Sequence, residues 1–141
     1  MLGLAIKIAV SAHEGQTDKG GNPYILHPLR VMMSVESESE KIVAILHDVV
    51  EDSDWTFDAL LEQGFSHEII EALKSVTKES EDEDYDAFIQ RAIQNPIGRK
   101  VKIADLKDNL DVTRIPVLQE KDIQRIDKYK RALSTLQQFA S

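Results

Sequence analysis

Apolar residues recur along this chain at helical spacing and almost nowhere alternate. In residues 3–14, Leu4, Ile8 and Ala12 fall one turn apart with Ala5 and Ala9 beside them, which predicts a first helix. The DKGGNP stretch at 18–23 holds two glycines and a proline and predicts a loop. Proline is favoured at the first helical position, so Pro28 places His27 at the entrance of a helix running through Leu29, Val31, Met32 and Val35. Residues 34–40 are mostly Ser and Glu and read as a polar connector. Lys41 to Val50 is apolar on most sides, which predicts a central, buried helix. Asp54 or Thr56 suits the cap of a helix that holds Phe57, Leu60 and Leu61 and stops at Gly64. Ser66 suits the cap of another, with Ile69, Ile70, Leu73 and Val76 as its apolar stripe. After an acidic stretch at 79–84, helical spacing resumes from Tyr85 to Ile93. Pro96 opens a helix through Val101, Ala104 and Leu110, and Pro116 predicts a break. Ile123, Ile126, Tyr129, Leu133 and Leu136 predict a last helix. There is no strand-like alternation of any length and no internal repeat. The expectation is an all-α fold of seven or eight helices in one domain over residues 1–141.

Composition agrees with a folded domain. The chain has 141 residues, 42% hydrophobic and 30% charged, enough to bury a core and stay soluble. No apolar run is long enough to span a membrane, and the apolar start carries Lys7 and reads as a helix of the mature fold, not a signal peptide. Cysteine is absent, which excludes disulfides and thiolate metal sites and fits a reducing cytoplasm. The net charge of −8 disfavours binding to a nucleic acid polymer. A small anionic substrate is still allowed, because local cations can reverse the field in one cleft. Many basic residues, among them Lys100, Lys102, Arg125 and Lys128, lie in the last third. Nothing in the pattern specifies an oligomer.

Four residues carry the candidate chemistry: His27, the adjacent His47 and Asp48, and Asp105. Two imidazoles and two carboxylates suit a divalent first-row metal. On the predicted central helix, His47 and Asp48 point about 100° apart, so both can reach an ion between them. Glu51 and Asp52 follow one turn later, in HDVVED. Acids set into otherwise apolar helices are costly unless compensated, and a bound cation compensates them. Each residue also has a plainer reading. His27 alone can cap a helix, and Asp105 alone can be a solvated acid. Taken together, the set suggests a metal-assisted hydrolase.

The segments AHEGQTDKGGNPYILHP, LHDVVEDS, SVTK and VKIADLKDN occur in this order. Together they resemble the hydrolase domain of the RelA/SpoT group in the HD superfamily, from about residue 4 to 113, and the length resembles the stand-alone small alarmone hydrolases. The resemblance implies an all-helical HD fold with one Mn²⁺. It implies removal of the 3′-pyrophosphate from ppGpp or pppGpp by metal-activated water. On matching positions, it implies that His27, His47, Asp48 and Asp105 hold the metal and that Glu51 and Asp52 are the catalytic acid pair. It further implies that Lys19 and Asn109 contact the nucleotide. Arg125 and Tyr129 look like a basic-aromatic pair aimed at substrate phosphates. At this length no synthetase domain is expected.

The chain departs from the group at Asp18, where an Arg that stacks on guanine is usual. A carboxylate cannot make that contact, but it can accept a hydrogen bond from a base amino group. A related nucleotide phosphorylated on its ribose, such as (p)ppApp or NADPH, is therefore an alternative substrate. A catalytically silent nucleotide-sensing module is an alternative of another class. Among the remaining residues, His13 is expected to pack or hydrogen-bond, Tyr24 to support its loop, and Lys78 to be solvated. The acidic run 79–86 is expected to be a surface loop or a gate over the cleft.

Overall fold

A computed structural model of the chain describes residues 1–115 and 117–139; the break expected at Pro116 lies outside them. The described residues are all-helical. Eight helices run α1 (Leu2–Ala12), α2 (Leu26–Met33), α3 (Glu38–Leu46), α5 (Phe57–Glu62), α6 (His67–Ser75), α7 (Tyr85–Ile93), α8 (Pro96–Asn109) and α9 (Glu120–Gln137). A single turn, α4 (Val49–Asp52), follows α3, and a short 3₁₀ turn at Val112–Arg114 precedes α9. No helix among the described residues is long and apolar enough to cross a membrane.

Helix starts follow the capping residues. Thr56, Ser66, Asp84 and Asn95 each accept a backbone N–H from the first turn of their helix. At α5 the cap is Thr56, not Asp54. Part of the expected 34–40 connector is helical, because Ser37 and Glu40 form a reciprocal capping box that starts α3 at Glu38. Such a cap stabilises a helix by about 1 kcal/mol.

The expected central helix is broken. It ends at Leu46, and Asp48 opens a new turn. Ala44 O would ordinarily accept the N–H of Asp48. Here the His47 ring takes that carbonyl, with Nδ1 at 2.6 Å, and the His47 N–H reaches it at 3.5 Å. A side chain that captures its own helix's carbonyl competes with the backbone ladder. The break thus arises from the same imidazole that enters the site.

α3 is the axis of the larger core. Ile42 to Leu46 are buried against α1, α2, α6 and α8. A smaller core joins α7, α8 and α9 through Ile89, Ala92, Ile93, Leu106, Ala132 and Leu136. α8 belongs to both. Val101 and Ala104 face the first core and Leu106 the second. That leaves Lys102, Asp105 and Asn109, at spacings of three and four, on the face between the cores. The approach of α6 to α8 requires Gly98, since a Cβ there would collide with Ser75 Oγ.

Candidate metal centre and substrate cleft

The face of α8 between the two cores forms the floor of a cleft of about 590 Å³, walled by α2, α7, α9, the 17–24 loop and the α3–α4 break. At its base the structure brings His27, His47, Asp48 and Asp105 together. His27 Nε2 lies 2.9 Å from Asp105 Oδ1, and His47 Nε2 lies 3.3 Å from the same oxygen. Asp48 Oδ2 lies 3.1 Å from His47 Nε2 and 4.0 Å from His27 Nε2. One donor atom from each of His27, His47 and Asp48 falls within 4.8 Å of the others.

Both rings are turned with Nε2 toward the cluster. His47 donates Nδ1–H to Ala44 O. His27 Nδ1 lies 2.6 Å from Asp108 Oδ2, and Arg30 holds that carboxylate through Nε at 2.8 Å and Nη2 at 3.1 Å. Such outer contacts orient metal-binding imidazoles and fix their tautomer. His47 Nε2 is buried and has no hydrogen-bond partner among the described residues. An orphaned imidazole nitrogen at 3% residue exposure, facing two carboxylates, fits a cation between them. Tyr24 also reaches the cluster and donates its hydroxyl to Asp48 Oδ2, a role beyond the loop support expected of it.

The charges lean on one another. Burial works against ionisation of both imidazoles, yet contacts with Asp105 and Asp108 raise the pKa of His27. Asp48 and Asp105 raise that of His47 well above the ordinary range. Burial likewise opposes charge on Asp105, but Lys102 and the two imidazoles hold it well below the usual carboxylate range. Burial pushes the Asp52 carboxyl up to about 6, helped by the charges of Asp48 and Glu51.

The acid pair is divided. Glu51 lines the cleft and accepts the Lys78 N–H at 2.9 Å. Asp52 is not among the residues lining it, and its carbonyl accepts from Gln16 Nε2 at 3.0 Å. Lys19, Asn109, Arg125 and Tyr129 all line the cleft. Asn109 donates to Asp105 Oδ1 at 3.1 Å. Arg125 donates to Asp122 at 2.8 Å, and Lys19 Nζ lies 3.9 Å from the same carboxylate. Asp18 borders the cleft, but its Oδ1 accepts the backbone N–H groups of Gly20 and Asn22, each at 2.9 Å.

Four contributors were not singled out from the sequence as site residues. Arg30 and Asp108 had a usable signal, since each lies three residues beyond a cluster member on the same helix. Tyr85 and Phe88 on α7 had none, because their stripe reads as ordinary core. Lys78 lines the cleft instead of facing only solvent, as do Lys102 and Lys128. His13 packs as expected, with Nδ1 2.9 Å from Gln16 Oε1 and its ring 5.0 Å from that of Tyr24.

The all-helical fold, with paired imidazoles and carboxylates between its two cores, agrees with the HD-type fold that the resemblance implies. No protein-family model matches the chain. It is 32% identical over 75% of its length to the bifunctional (p)ppGpp synthase/hydrolase SpoT of Escherichia coli, of which it covers 17%. It is 30% identical over 88% of its length to the guanosine-3′,5′-bis(diphosphate) 3′-pyrophosphohydrolase of Aquifex aeolicus, covering 19% of that protein. A solved structure of a metazoan ortholog of SpoT that hydrolyses ppGpp shares the fold, with a TM-score of 0.76, 21% identity, and coverage of 96% of this chain and 84% of that one. The chain is related to proteins of the RelA/SpoT group over most of its own length and spans about a fifth of the length of the curated relatives it matches.

Proposed function

We propose that the chain is a divalent-metal-dependent 3′-pyrophosphohydrolase acting on the guanosine alarmones ppGpp and pppGpp, and that residues 1–141 form one such domain. The observation that carries this reading is the convergence of His27, His47, Asp48 and Asp105 at the base of a cleft bordered by cations. The relatives named above supply the substrate class: their printed names specify (p)ppGpp and its 3′-pyrophosphate.

In this reading the four residues hold the ion, with Mn²⁺ the proposed metal. A divalent ion there supplies a lowered water pKa and a polarised phosphoryl oxygen. The chain's own residues do the rest. Glu51, exposed in the cleft, accepts the proton of the attacking water or orients it. Asp52 keeps a raised pKa beside it and supports that carboxylate. Tyr24 fixes Asp48 by its hydroxyl, while Arg30 and Asp108 fix His27. Lys19, Lys78, Arg125 and Lys128 receive the phosphates, and Asn109 and Tyr129 position the nucleoside end.

One observation favours a second substrate reading. Position 18 is an acid whose Oδ1 is engaged with its own loop, so the 17–24 loop offers no guanidinium of its own to a base. An adenosine nucleotide phosphorylated on its ribose, (p)ppApp at the 3′ position or NADPH at the 2′ position, is therefore the alternative. The deciding experiment gives ppGpp, pppGpp, pppApp and NADPH to the Mn²⁺-loaded protein and measures released pyrophosphate or phosphate. Rapid release from ppGpp supports the main reading. Release from pppApp or NADPH alone supports the second. Metal binding with no turnover of any of the four makes the chain a sensing module.

A further inference from the structure

Lys102 stands out among the cations of the cleft. It lies on α8 three residues before Asp105, with Nζ 2.9 Å from Asp105 Oδ2 and a side chain only 11% exposed. The ammonium sits 4.8 Å from the centre of the Phe88 ring and borders the cleft. Local helix stability does not explain it, since an acid placed before the lysine is the better order for such a pair. Packing does not explain it either, because burying an ion pair commonly stabilises no more than an apolar pair of similar volume.

The division of labour within Asp105 is more informative. Oδ1 faces both imidazoles and Asn109, while Oδ2 belongs to Lys102. Phosphoryl-transfer sites with two metals clamp both the attacking and the leaving oxygens between ions about 3.5–4 Å apart. A carboxylate that gives one oxygen to each ion of such a pair needs both of its oxygens. Asp105 has only one to give, and a fixed positive charge stands against the other.

We propose that Lys102 takes the place of a second metal ion. It holds Asp105 to a single oxygen for metal binding, limits the centre to one divalent cation, and offers its own charge to a phosphate of the bound substrate. The proposal rests on the metal-dependent hydrolase reading above. It goes further by assigning the second charge of the phosphate clamp to a protein side chain. Lys78, Arg125 and Lys128 share the same cleft, where burial and the charges of Lys78, Lys102 and Arg125 lower the pKa of Lys128. Lys102 is the one among them that touches a member of the His/Asp cluster in the described contacts.

The test measures ion stoichiometry and anion binding, neither of which requires turnover. Mn²⁺ is titrated calorimetrically into the full chain, and bound metal is counted by elemental analysis. The Mn²⁺-loaded protein is then titrated with inorganic pyrophosphate. The expected result is one ion in the parent protein and a second ion in Lys102→Glu, whose carboxylate would complete a bridging pair with Asp105. Lys102→Met should keep one ion and bind pyrophosphate about tenfold more weakly, the scale of one lost charge-assisted hydrogen bond. If Lys102→Glu does not fold, Lys102→Met decides the matter alone, and pyrophosphate affinity within about twofold of the parent overturns the proposal. Two ions in the parent protein overturn the proposal but leave the hydrolase reading standing. No ion in the parent protein overturns both. One ion in a folded Lys102→Glu, with pyrophosphate binding unchanged in Lys102→Met, overturns the proposal alone.

Discussion

The two sides of the cleft are built differently. On one side, His27, His47 and Asp105 are buried at 6%, 3% and 5% exposure, on or beside helices of the larger core. Each is held by a further contact: Asp108 on His27, Ala44 O on His47, Lys102 on Asp105. On the other side, Lys19, Lys78 and Arg125 reach in from the 17–24 loop, the α6–α7 connection and α9. Lys19 is 57% exposed along its side chain. The first side holds each of these donor groups by a contact behind it, the kind of positioning that bond making requires. The second presents positive charge from several separate elements, which can steer and hold an anion without fine geometry. Changes on the first side should therefore fall on turnover and metal content, and changes on the second on substrate affinity.

The largest effects are expected at the cluster itself. Asp48→Ala and His47→Ala should lose the metal and reduce turnover at least about a thousandfold, because the polarising charge and the activated water go together. Elemental analysis and a pyrophosphate-release assay on the same preparations check this. An active, metal-free Asp48→Ala would remove the proposed centre. Glu51→Ala should retain the metal and lose about a hundredfold to ten-thousandfold in kcat, the range of general acid-base catalysis. If Glu51→Ala instead loses metal, its carboxylate belongs to the cluster and not to proton transfer.

A smaller effect should come from the contacts behind the imidazoles. Asp108→Asn weakens the hold on His27 Nδ1 and Arg30, and should lower metal affinity by about tenfold to a hundredfold. Calorimetric Mn²⁺ titration measures it. An unchanged affinity would show that the first side does not depend on its outer contacts. Arg125→Ala tests the opposite wall. It should raise KM for the nucleotide about tenfold and leave kcat nearly unchanged, since the cation binds ground state and transition state alike. A fall in kcat with constant KM would place Arg125 with the chemistry and erase the distinction between the sides.

The same division governs what the sequence made legible. In the sequence, His47 and Asp48 interrupt an apolar run and Asp105 follows Val101, Ile103 and Ala104, and such positions call for compensation that pattern alone can reveal. The helices themselves were legible for a related reason: their stripes and caps are local features, and Thr56 and Ser66 cap where residue type and position suggest. The break at His47 was not legible, because Val49 and Val50 continue the apolar run while the interruption comes from one ring taking Ala44 O. The cationic wall was legible only as composition. Which of the late lysines face the cleft depends on how α7, α8 and α9 pack, and no local spacing encodes that. Tyr85 and Phe88 sit at ordinary core spacing, so their place beside Lys102 and Lys128 required the fold.

The smallest expected effect bears on Asp18, where the two sides meet in one loop. Its Oδ1 accepts two backbone N–H groups and so shapes the turn that carries Lys19, with Gly21 at φ 82° completing it. If this is its whole role, Asp18→Asn should change kcat/KM for ppGpp less than about twofold, because an amide oxygen can accept the same two bonds. Asp18→Ala should then cost about 1 kcal/mol of stability and raise KM a few-fold, through a loosened loop and a less confined Lys19. Thermal unfolding and steady-state kinetics on both variants separate the loop's shape from contact with the base. If the carboxylate also contacts the base, Asp18→Asn should shift the preference between ppGpp and pppApp while leaving thermal stability in place. A change in relative kcat/KM with no change in Tm would make Asp18 a specificity residue. A fall in Tm confined to Asp18→Ala, with unchanged preference in Asp18→Asn, would assign it to the loop.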